Sequence, residues 1–483
     1  MQLMRKPSLP LRSSGHRTTL PRNARTGMKR ARIILPLFLL LLGSLLVFSG
    51  LWSSAPESFD HQGRSVAAWV KDLRAEDYSR RFAAAAAIGE MKGKVVPHLI
   101  HELKQRDSGL RRSVARLTAR FGREMISPGE ANRRRAAAAG GLAEIPEHAG
   151  LAVPALIGAL ADEDAAVAAE VERALRRIGE PAIPWILSAL KNGDVKERTA
   201  AVRLINDIRS SSPEALAALH AAIRDDAATV RREVAASLQR VGAPDANIHP
   251  LVVALADEAP GVREEAARTL GGFGRRAKTA SRTLRDVLQD DNARVRIAAA
   301  EALWRIDGDA RKVLPTLVGA LRDRAARWRA VMVISSLGED AEPAIPFLIS
   351  ALRDEAMHRP FRDPPLSASA LGRIGKAAWP PLIEACGNRD ENTRVGAALA
   401  LRDAGEKAGA GERAAMKTLL RDESTTVRHA AAMALIAMNE SDGSLIPILQ
   451  EMLDADDDVL RLAAVDALKK LSSDLAWQLR NME

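Results

Sequence analysis

The sequence contains few aromatic residues for its length. Phe, Trp and Tyr make up only 3% of the 483 residues, whereas 47% of the residues are hydrophobic. A globular chain of this length normally divides into domains, each with its own core of bulky side chains. Alanine supplies much of the apolar content here, as in residues 83–87, and alanine favours helices that pack closely. The composition therefore predicts many short helices packed in series, and β-structure is not expected.

Cysteine is almost absent, because Cys386 is the only one in the chain. This excludes an intramolecular disulfide and a zinc site built from cysteines. We interpret Cys386 as a small buried apolar residue of a predicted helix rather than as a reactive thiol.

Recognisable catalytic and cofactor motifs are missing as well. The chain has no His-Glu-x-x-His, no phosphate-binding Gly-x-x-x-x-Gly-Lys-Ser/Thr and no Gly-x-Ser-x-Gly. His98, His101 and Glu102 have the spacing of metal ligands on one helix face, but a solvated helix face is the favoured interpretation. We therefore predict no catalytic residue, no cofactor and no metal site.

Acidic residues are missing from the N-terminal part of the chain. The first is Glu57, whereas nine Lys or Arg residues lie within residues 1–32. Subtracting these nine from the formal net charge of +10 leaves about +1 for the rest of the chain. Binding to a phosphate backbone needs a clustered basic surface. We therefore do not expect nucleic acid as a partner of the main body.

One long apolar run follows this basic arm. Ile33 to Trp52 form twenty residues without a charge, about the length that a helix needs to cross a membrane. Two interpretations stay open: an uncleaved anchor, or a signal peptide removed after Ala55, which would leave a secreted or periplasmic protein. The positive-inside tendency places the basic N-terminus in the cytoplasm and the rest of a single-pass membrane protein outside it.

A phrase of the type Val-Pro-Ala-Leu-Ile-Gly-Ala-Leu recurs along the rest of the chain. Its closing positions, from Leu160 to Leu453, are separated by steps of 30 to 35 residues. A regular period in this range indicates a stacked array of supersecondary units. With a degenerate unit before Leu160, we predict about eleven or twelve units.

Each unit has the same order of residues. A proline begins the first helix, where its missing N–H has no partner to lose. An aspartate follows the closing leucine and is expected to cap the second helix, a Val-Arg pair comes next, and a glycine ends that helix. The prolines are Pro97, Pro154, Pro184, Pro315, Pro346 and Pro447; the aspartates are Asp162, Asp225, Asp257, Asp290, Asp323, Asp354 and Asp422; the arginines are Arg231, Arg263, Arg296 and Arg428; the glycines are Gly179, Gly242, Gly274, Gly338 and Gly375.

These residues resemble the HEAT-repeat family, in the HEAT-like form that is also seen in phycobilisome lyases. The resemblance covers about residues 65–471 and implies an all-α superhelix of the HEAT/armadillo-like type. It also implies that the aspartate of one unit interacts with the arginine of its neighbour. The structural ladder expected from it consists of Asp225, Arg231, Asp257, Arg263, Asp290, Arg296, Asp422 and Arg428.

The predicted organisation has five parts. They are a basic disordered arm (1–32), a transmembrane helix or signal anchor (33–52), a linker (53–64), the repeat solenoid (65–471) and a C-terminal tail (472–483).

After Asp354 the repeat pattern breaks as far as Pro365, and we expect this insertion to protrude. Phe361 and Arg362 are its candidate partner contacts, and a drifted turn is the alternative. The tryptophans are expected mostly in the core or between repeats.

The function predicted from these features is a membrane-tethered scaffold that binds a protein partner and has no catalytic activity. An α-solenoid presents a long curved surface, which suits such a role. The alternative is an enzyme of the HEAT-like lyase type, acting on a protein-bound chromophore or another small group. Neither the identity of the partner nor the oligomeric state follows from the sequence.

Overall fold

The protein is an α-solenoid in which helices alternate between two layers. The computed structural model describes residues 59–105, 130–210, 212–355, 360–440 and 443–480. We call the layer of first helices the outer layer and the layer of second helices the inner layer. The outer layer consists of α1 (Val66–Asp72), α3 (Val96–Lys104), α5 (Val153–Ile157), α7 (Ile183–Asn192), α9 (Pro213–Ala222), α11 (Pro244–Ala254), α13 (Ser281–Val287), α15 (Leu314–Ala320), α17 (Ile345–Leu352), α19 (Trp379–Ala385), α21 (Ala410–Leu419) and α23 (Ile446–Leu453). The inner layer consists of α2 (Tyr78–Met91), α4 (Glu130–Glu144), α6 (Ala165–Ile178), α8 (Val195–Ile208), α10 (Ala228–Ser237), α12 (Pro260–Gly272), α14 (Ala293–Asp307), α16 (Arg327–Leu337), α18 (Leu366–Ile374), α20 (Glu391–Arg402), α22 (Thr425–Ala437) and α24 (Asp458–Arg480).

The predicted prolines and glycines lie where the helices begin and end. Pro184 and Pro346 are in the first turn of α7 and α17. Gly179 and Gly375 follow α6 and α18 with φ angles of +72° and +77°, which a residue with a side chain rarely adopts. Short 3-10 helices, such as residues 180–182, then lead into the next first helix. These parts of the predicted repeat are confirmed.

The predicted capping role of the aspartates is wrong. Asp225 lies two residues before the N-cap of α10, and its carboxylate accepts a hydrogen bond of 2.9 Å from the Ala227 N–H. In the same way Asp290 accepts a hydrogen bond of 2.8 Å from Asn292, which is itself the N-cap of α14. The aspartates therefore close the turn ahead of the helix. This turn holds each carboxylate beside the preceding repeat.

A two-stranded antiparallel hairpin precedes the first helix. Asp60–His61 pair with Arg64–Ser65, at the junction of the predicted linker (53–64) and the predicted solenoid (65–471), where no β-structure was expected. The Trp69 indole N–H of α1 donates to the His61 carbonyl at 3.0 Å, and the Arg64 guanidinium lies 4.1 Å from the centre of the Trp69 ring. These contacts fix the hairpin against the first repeat.

The inner layer is more tightly packed than the outer layer. Its helices contact one another over more of their length than the outer helices do, because small residues face each other there. A Cβ atom on Gly271 of α12 would lie 2.9 Å from the Cα of Ala302 in α14. Closer spacing along one layer bends a stack of repeats towards that layer. The inner layer therefore forms the concave side.

Two predicted boundaries fall differently or lie outside the described ranges. The tail predicted from residue 472 is helical as far as Arg480, because α24 continues there. The predicted membrane segment, Ile33 to Trp52, and the predicted weak first helix of the degenerate unit, around residues 127–129, lie outside the described residues. The second helix predicted for that unit, Arg133 to Ile145, corresponds to α4. Among the helices that the structure does describe, none has the length and apolar character of a membrane span.

Candidate protein-binding surface on the inner layer

Partly buried ion pairs join successive repeats along the inner layer. Arg231 of α10 donates hydrogen bonds of 2.7 and 2.9 Å to the two carboxylate oxygens of Asp257, in the turn before α12. Arg263 of α12 binds Asp290 in the same way, at 2.7 and 2.8 Å. Both arginines also donate to carbonyl groups of the turn that precedes their own helix. Each arginine therefore fastens its own turn to the next repeat.

Two further pairs have this geometry and were not predicted. Arg198 binds Asp225, and Arg394 binds Asp422, each through an Nε–H donor at 2.8 Å. Both arginines occupy the same helix position as Arg231 but follow residues other than valine. A search for arginine 27 or 28 residues before the aspartate would have found them without the valine.

The predicted ladder is not continuous. Arg428 pairs with Glu451 of α23 at 2.9 Å rather than with an aspartate. Arg296 donates to the Asp290 carbonyl in its own turn at 2.7 Å and has no carboxylate partner in the described part of the chain. Asp323, the aspartate of the next repeat, closes its own turn as the others do, but it accepts no hydrogen bond from Arg296. The joint between α14 and α16 therefore lacks the ion pair found at α12 and α14.

The paired aspartates are held in their ionised form. Burial raises the pKa of Asp257, but the hydrogen bonds from Arg231 and from the Ala259 N–H outweigh burial, so the pKa lies below its ordinary value. The same balance of burial and hydrogen bonds lowers the pKa of Asp290. These carboxylates are therefore charged at neutral pH and bind the arginines as ions.

A cluster of arginines surrounds one buried glutamate in the middle of the inner layer. The Glu264 carboxylate of α12 is only 7% exposed and receives hydrogen bonds from Arg268 at 2.6 Å and from Arg329 of α16 at 2.6 Å. Arg294, just within α14, reaches it at 3.0 Å. Burial opposes ionisation of Glu264, but the Arg294 hydrogen bond and the charges of Arg329 and Arg268 outweigh it and lower its pKa. Together with Arg232, these residues line a cavity of about 360 Å³, which we call the arginine pocket.

Two large apolar side chains are exposed beside this pocket. Trp328 and Met332 of α16 are 52% and 53% exposed, and their spacing of four residues puts them on the same helix face. The Arg329 guanidinium lies 4.9 Å from the centre of the Trp328 ring while it also binds Glu264. Trp69, Trp304 and Trp379 pack in or against the core, as predicted for most tryptophans. Trp328 and Trp185, which is 48% exposed on α7, are the exceptions within the described residues.

The comparison with protein-family models identifies the repeats. The model described as HEAT repeats matches residues 183–247, 248–331, 282–359 and 380–469, which together make up more than half of the 483 residues. The chain belongs to the HEAT-repeat family. No curated protein matches it.

Solved structures with a similar fold are known. The chain is similar to one in a structure of Kap95p with RanGDP, with a TM-score of 0.56, 12% identity, and coverage of 84% of this chain and 60% of that chain. It is similar also to one in the Kap95:Nup1 complex, with a TM-score of 0.52, 14% identity, and coverage of 86% and 63%. The HEAT-repeat chain therefore spans less than two thirds of those longer chains. At this identity the likeness is one of fold.

The insertion after Asp354 does not present Phe361 to solvent. Phe361 is only 9% exposed and belongs to the hydrophobic core. Its ring centre lies 6.3 Å from that of His429, which is buried at the start of α22. Arg362 is exposed, as predicted. Phe361 was predicted to protrude and contact a partner. It packs into the hydrophobic core of the HEAT array instead.

The remaining candidates from the sequence lie apart from the arginine pocket. His98 is partly buried, and burial lowers its pKa; His101 contacts Gln105 at 2.9 Å. Across the described ranges, no group of three or more His, Cys, Asp or Glu side chains is placed to hold a metal ion. Cys386 is buried, and burial raises the pKa of its thiol to about 12, so it carries a proton at neutral pH.

Proposed function

We propose that this HEAT-repeat protein is a membrane-tethered scaffold that binds a protein partner on its inner layer. The observation that carries the proposal is the exposed pair Trp328 and Met332 on the concave side. Tryptophan dominates the energetics of many protein interfaces, and methionine adapts to irregular partner surfaces. Exposure of both side chains on one turn of α16 is unfavourable in water without a partner. A bound protein segment would remove this apolar surface from solvent.

The tether is the second part of the proposal and rests on the sequence. The uncharged residues 33–52 and the basic arm before them support an anchor with its N-terminus in the cytoplasm. The repeats then begin shortly after the membrane, on its outer side. Removal of the segment as a signal peptide would release the same scaffold outside the cytoplasm. Either route places the partner in an extracytoplasmic compartment.

Site-specific crosslinking in intact cells tests where the partner binds. A photoreactive residue at Ser336, which is exposed one turn after Met332 on α16, should capture a protein. The double substitution Trp328→Ala and Met332→Ala should lower that capture at least about tenfold, because loss of a central aromatic anchor weakens binding by about 2 kcal/mol or more. A C-terminal reporter that is active only outside the cytoplasm reads the topology in the same cells.

The outer layer supplies a matched control. Ser188 and Trp185 are both exposed on α7, so a photoreactive residue at Ser188 and the substitution Trp185→Ala repeat the experiment on the convex side. Capture at Ser188 that equals capture at Ser336, or an unchanged yield in the Trp328 and Met332 variant, would contradict an inner-layer site. An inactive reporter would contradict the proposed topology alone. The absorbance spectrum of the purified protein tests the lyase alternative, since a scaffold binds no pigment.

A further inference from the structure

The arginine pocket carries more positive than negative charge. Four arginines line it, Arg232, Arg268, Arg294 and Arg329, and two glutamates face them. The excess is local, because the body of the chain after the N-terminal arm is close to neutral. Other exposed arginines of the inner layer face an acid each, as in the pairs Arg203–Glu172 and Arg305–Glu301. The pocket is therefore a site where a negative group would complete the charge balance.

The buried glutamate fixes the arginines without using all of their donors. Each guanidinium has five N–H groups, and the two oxygens of Glu264 receive three guanidinium groups. Arg268 also binds Glu265 at 2.6 Å. The Arg294 side chain is 56% exposed and that of Arg268 is 41% exposed, so both groups also face the solvent of the cavity. A ligand that binds there meets donors already held in position, which lowers the entropy loss of binding.

The pocket and the exposed apolar pair form one surface. Arg329 belongs to both, because it donates to Glu264 and stacks over Trp328. Glu264 and Arg329 are separated by 65 residues in the sequence, so the surface extends from α12 across α14 to α16. A ligand that fits this surface has a negative group beside an apolar group. An acidic side chain next to a hydrophobic one in a protein segment has this chemistry.

Other occupants match the surface less well. The basic arm of residues 1–32 has nine positive charges and no negative charge, so the pocket repels it. A nucleic acid needs a continuous basic track, whereas inner-layer arginines such as Arg203 and Arg305 are paired with Glu172 and Glu301. The single positive pocket beside Trp328 suits one or two carboxylates and an apolar anchor.

We propose that the arginine pocket binds a carboxylate side chain of an acidic partner segment, and that an adjacent apolar side chain of this segment packs on Trp328 and Met332. This inference rests on the proposed function and specifies the chemistry of the partner. The remaining N–H groups of Arg294 and Arg268 donate to the carboxylate of the partner, and Glu264 keeps both guanidiniums in place. Hydrogen bonds between charged groups are stronger than those between neutral groups. The hydrogen bond from Arg329 to Glu264 also holds the Arg329 guanidinium beside the Trp328 ring.

Four defined probes test the proposed chemistry with the full-length protein. Fluorescent peptides of alternating Glu and Leu, of Gln and Leu, and of Glu and Ser are compared with a single-stranded oligonucleotide by fluorescence anisotropy. The Glu-Leu peptide should bind at least about tenfold more tightly than either relative, because each relative lacks one of the two contacts. Its affinity should fall as salt is raised, since salt screens exposed charges.

A pair of charge-matched variants locates the binding to the pocket. Arg294→Gln should weaken binding of the Glu-Leu peptide about tenfold and leave binding of the Gln-Leu peptide unchanged. Arg285→Gln is the control, because Arg285 is 50% exposed on the outer helix α13 and its loss changes the net charge equally. This control should bind the Glu-Leu peptide as the wild type does.

Each outcome decides the inference separately from the proposed function. Equal affinities for the Glu-Leu and Gln-Leu peptides, no binding of either, or equal effects of Arg294→Gln and Arg285→Gln would overturn the assignment of an acidic partner. Tighter binding of the oligonucleotide than of the Glu-Leu peptide would overturn it in favour of nucleic acid. In any of these cases, loss of cellular crosslinking at Ser336 on substitution of Trp328 would leave the inner-layer scaffold in place.

Discussion

Two consecutive joints of the inner layer are held together differently, although the same kind of repeat builds both. Between α12 and α14, Arg263 donates two hydrogen bonds of 2.7 and 2.8 Å to Asp290. Gly271 has no side chain, so α12 lies close to Ala302 of α14. Between α14 and α16, Arg296 holds only its own turn within the described residues, and the two helices touch over a shorter length.

The stabilising contacts and the exposed apolar side chains therefore lie at different places along the inner layer. Where the ion pair forms and small residues meet, between α12 and α14, the two helices pack closely along the array. Where the pair is missing, the face opens, and Trp328 and Met332 stay exposed on α16. Arg329 then reaches back across α14 to Glu264. The apolar part of the candidate binding surface therefore lies beside a joint that is less tightly packed than the one between α12 and α14.

The largest expected effect distinguishes the two ladder arginines. Arg263→Ala removes the partner of Asp290, whose side chain is only 9% exposed, and should lower the free energy of unfolding by about 3 kcal/mol, because a desolvated charge stays unpaired. Arg296→Ala loses only hydrogen bonds to backbone carbonyls and should lower it by about 1 kcal/mol. Urea unfolding measures both values.

Hydrogen exchange shows where each effect acts, because repeat arrays open locally. Amides of α12 and α14 should exchange faster in Arg263→Ala, and those of distant repeats such as α22 should not. Losses of equal size in the two variants would show that the missing carboxylate at Arg296 has no consequence for the joint.

The next effect tests the close approach of helices at the tight joint. In Gly271→Ala the added Cβ would lie 2.9 Å from the Ala302 Cα, a backbone atom that cannot rotate away, so we expect a loss of about 2 kcal/mol from overpacking. Gly319→Ala is the control, because nothing lies within 4 Å of its Cβ position and alanine favours the helix. It should gain about 0.5 kcal/mol. Thermal or urea unfolding checks both, and a stable Gly271→Ala would mean that α12 and α14 are free to separate.

The regular parts of this protein were predictable because they repeat. The prolines, glycines and the helix period depend on local backbone geometry, and residues such as Pro184 and Gly179 take the expected positions. The ladder was predicted in part, since Arg198 and Arg394 have the right spacing but not the expected preceding valine.

The candidate surface was not predictable from the same pattern. Contact between Glu264 and Arg329 spans 65 residues and skips one inner helix, and no local period encodes such a distance. Exposure of Trp328 depends on how closely α14 and α16 pack, and this packing is not encoded at the tryptophan itself. Phe361 was misplaced for a related reason, because the array offers it a buried position beside His429.

The smallest expected effect is a change with pH in the free energy of unfolding, and it should differ between the joint that has the Arg263–Asp290 ion pair and the joint that lacks one. Hydrogen bonds from Arg263 and from Asn292 hold the pKa of Asp290 below its ordinary value in spite of burial. A carboxylate whose pKa is lowered on folding contributes stability above its ordinary pKa, and this contribution is lost as the pH falls through the folded value. Acidification from about pH 6 to about pH 3 should therefore narrow the gap in unfolding free energy between the wild type and Arg263→Ala. A protonated Asp290 needs no cation beside it, so the variant has less to lose in acid.

The gap between the wild type and Arg296→Ala should change less, because backbone carbonyls do not titrate. Urea unfolding of the three proteins at both pH values makes the comparison, and a gap for Arg263→Ala that stays constant with pH would show that the arginine stabilises the joint by packing rather than by its charge.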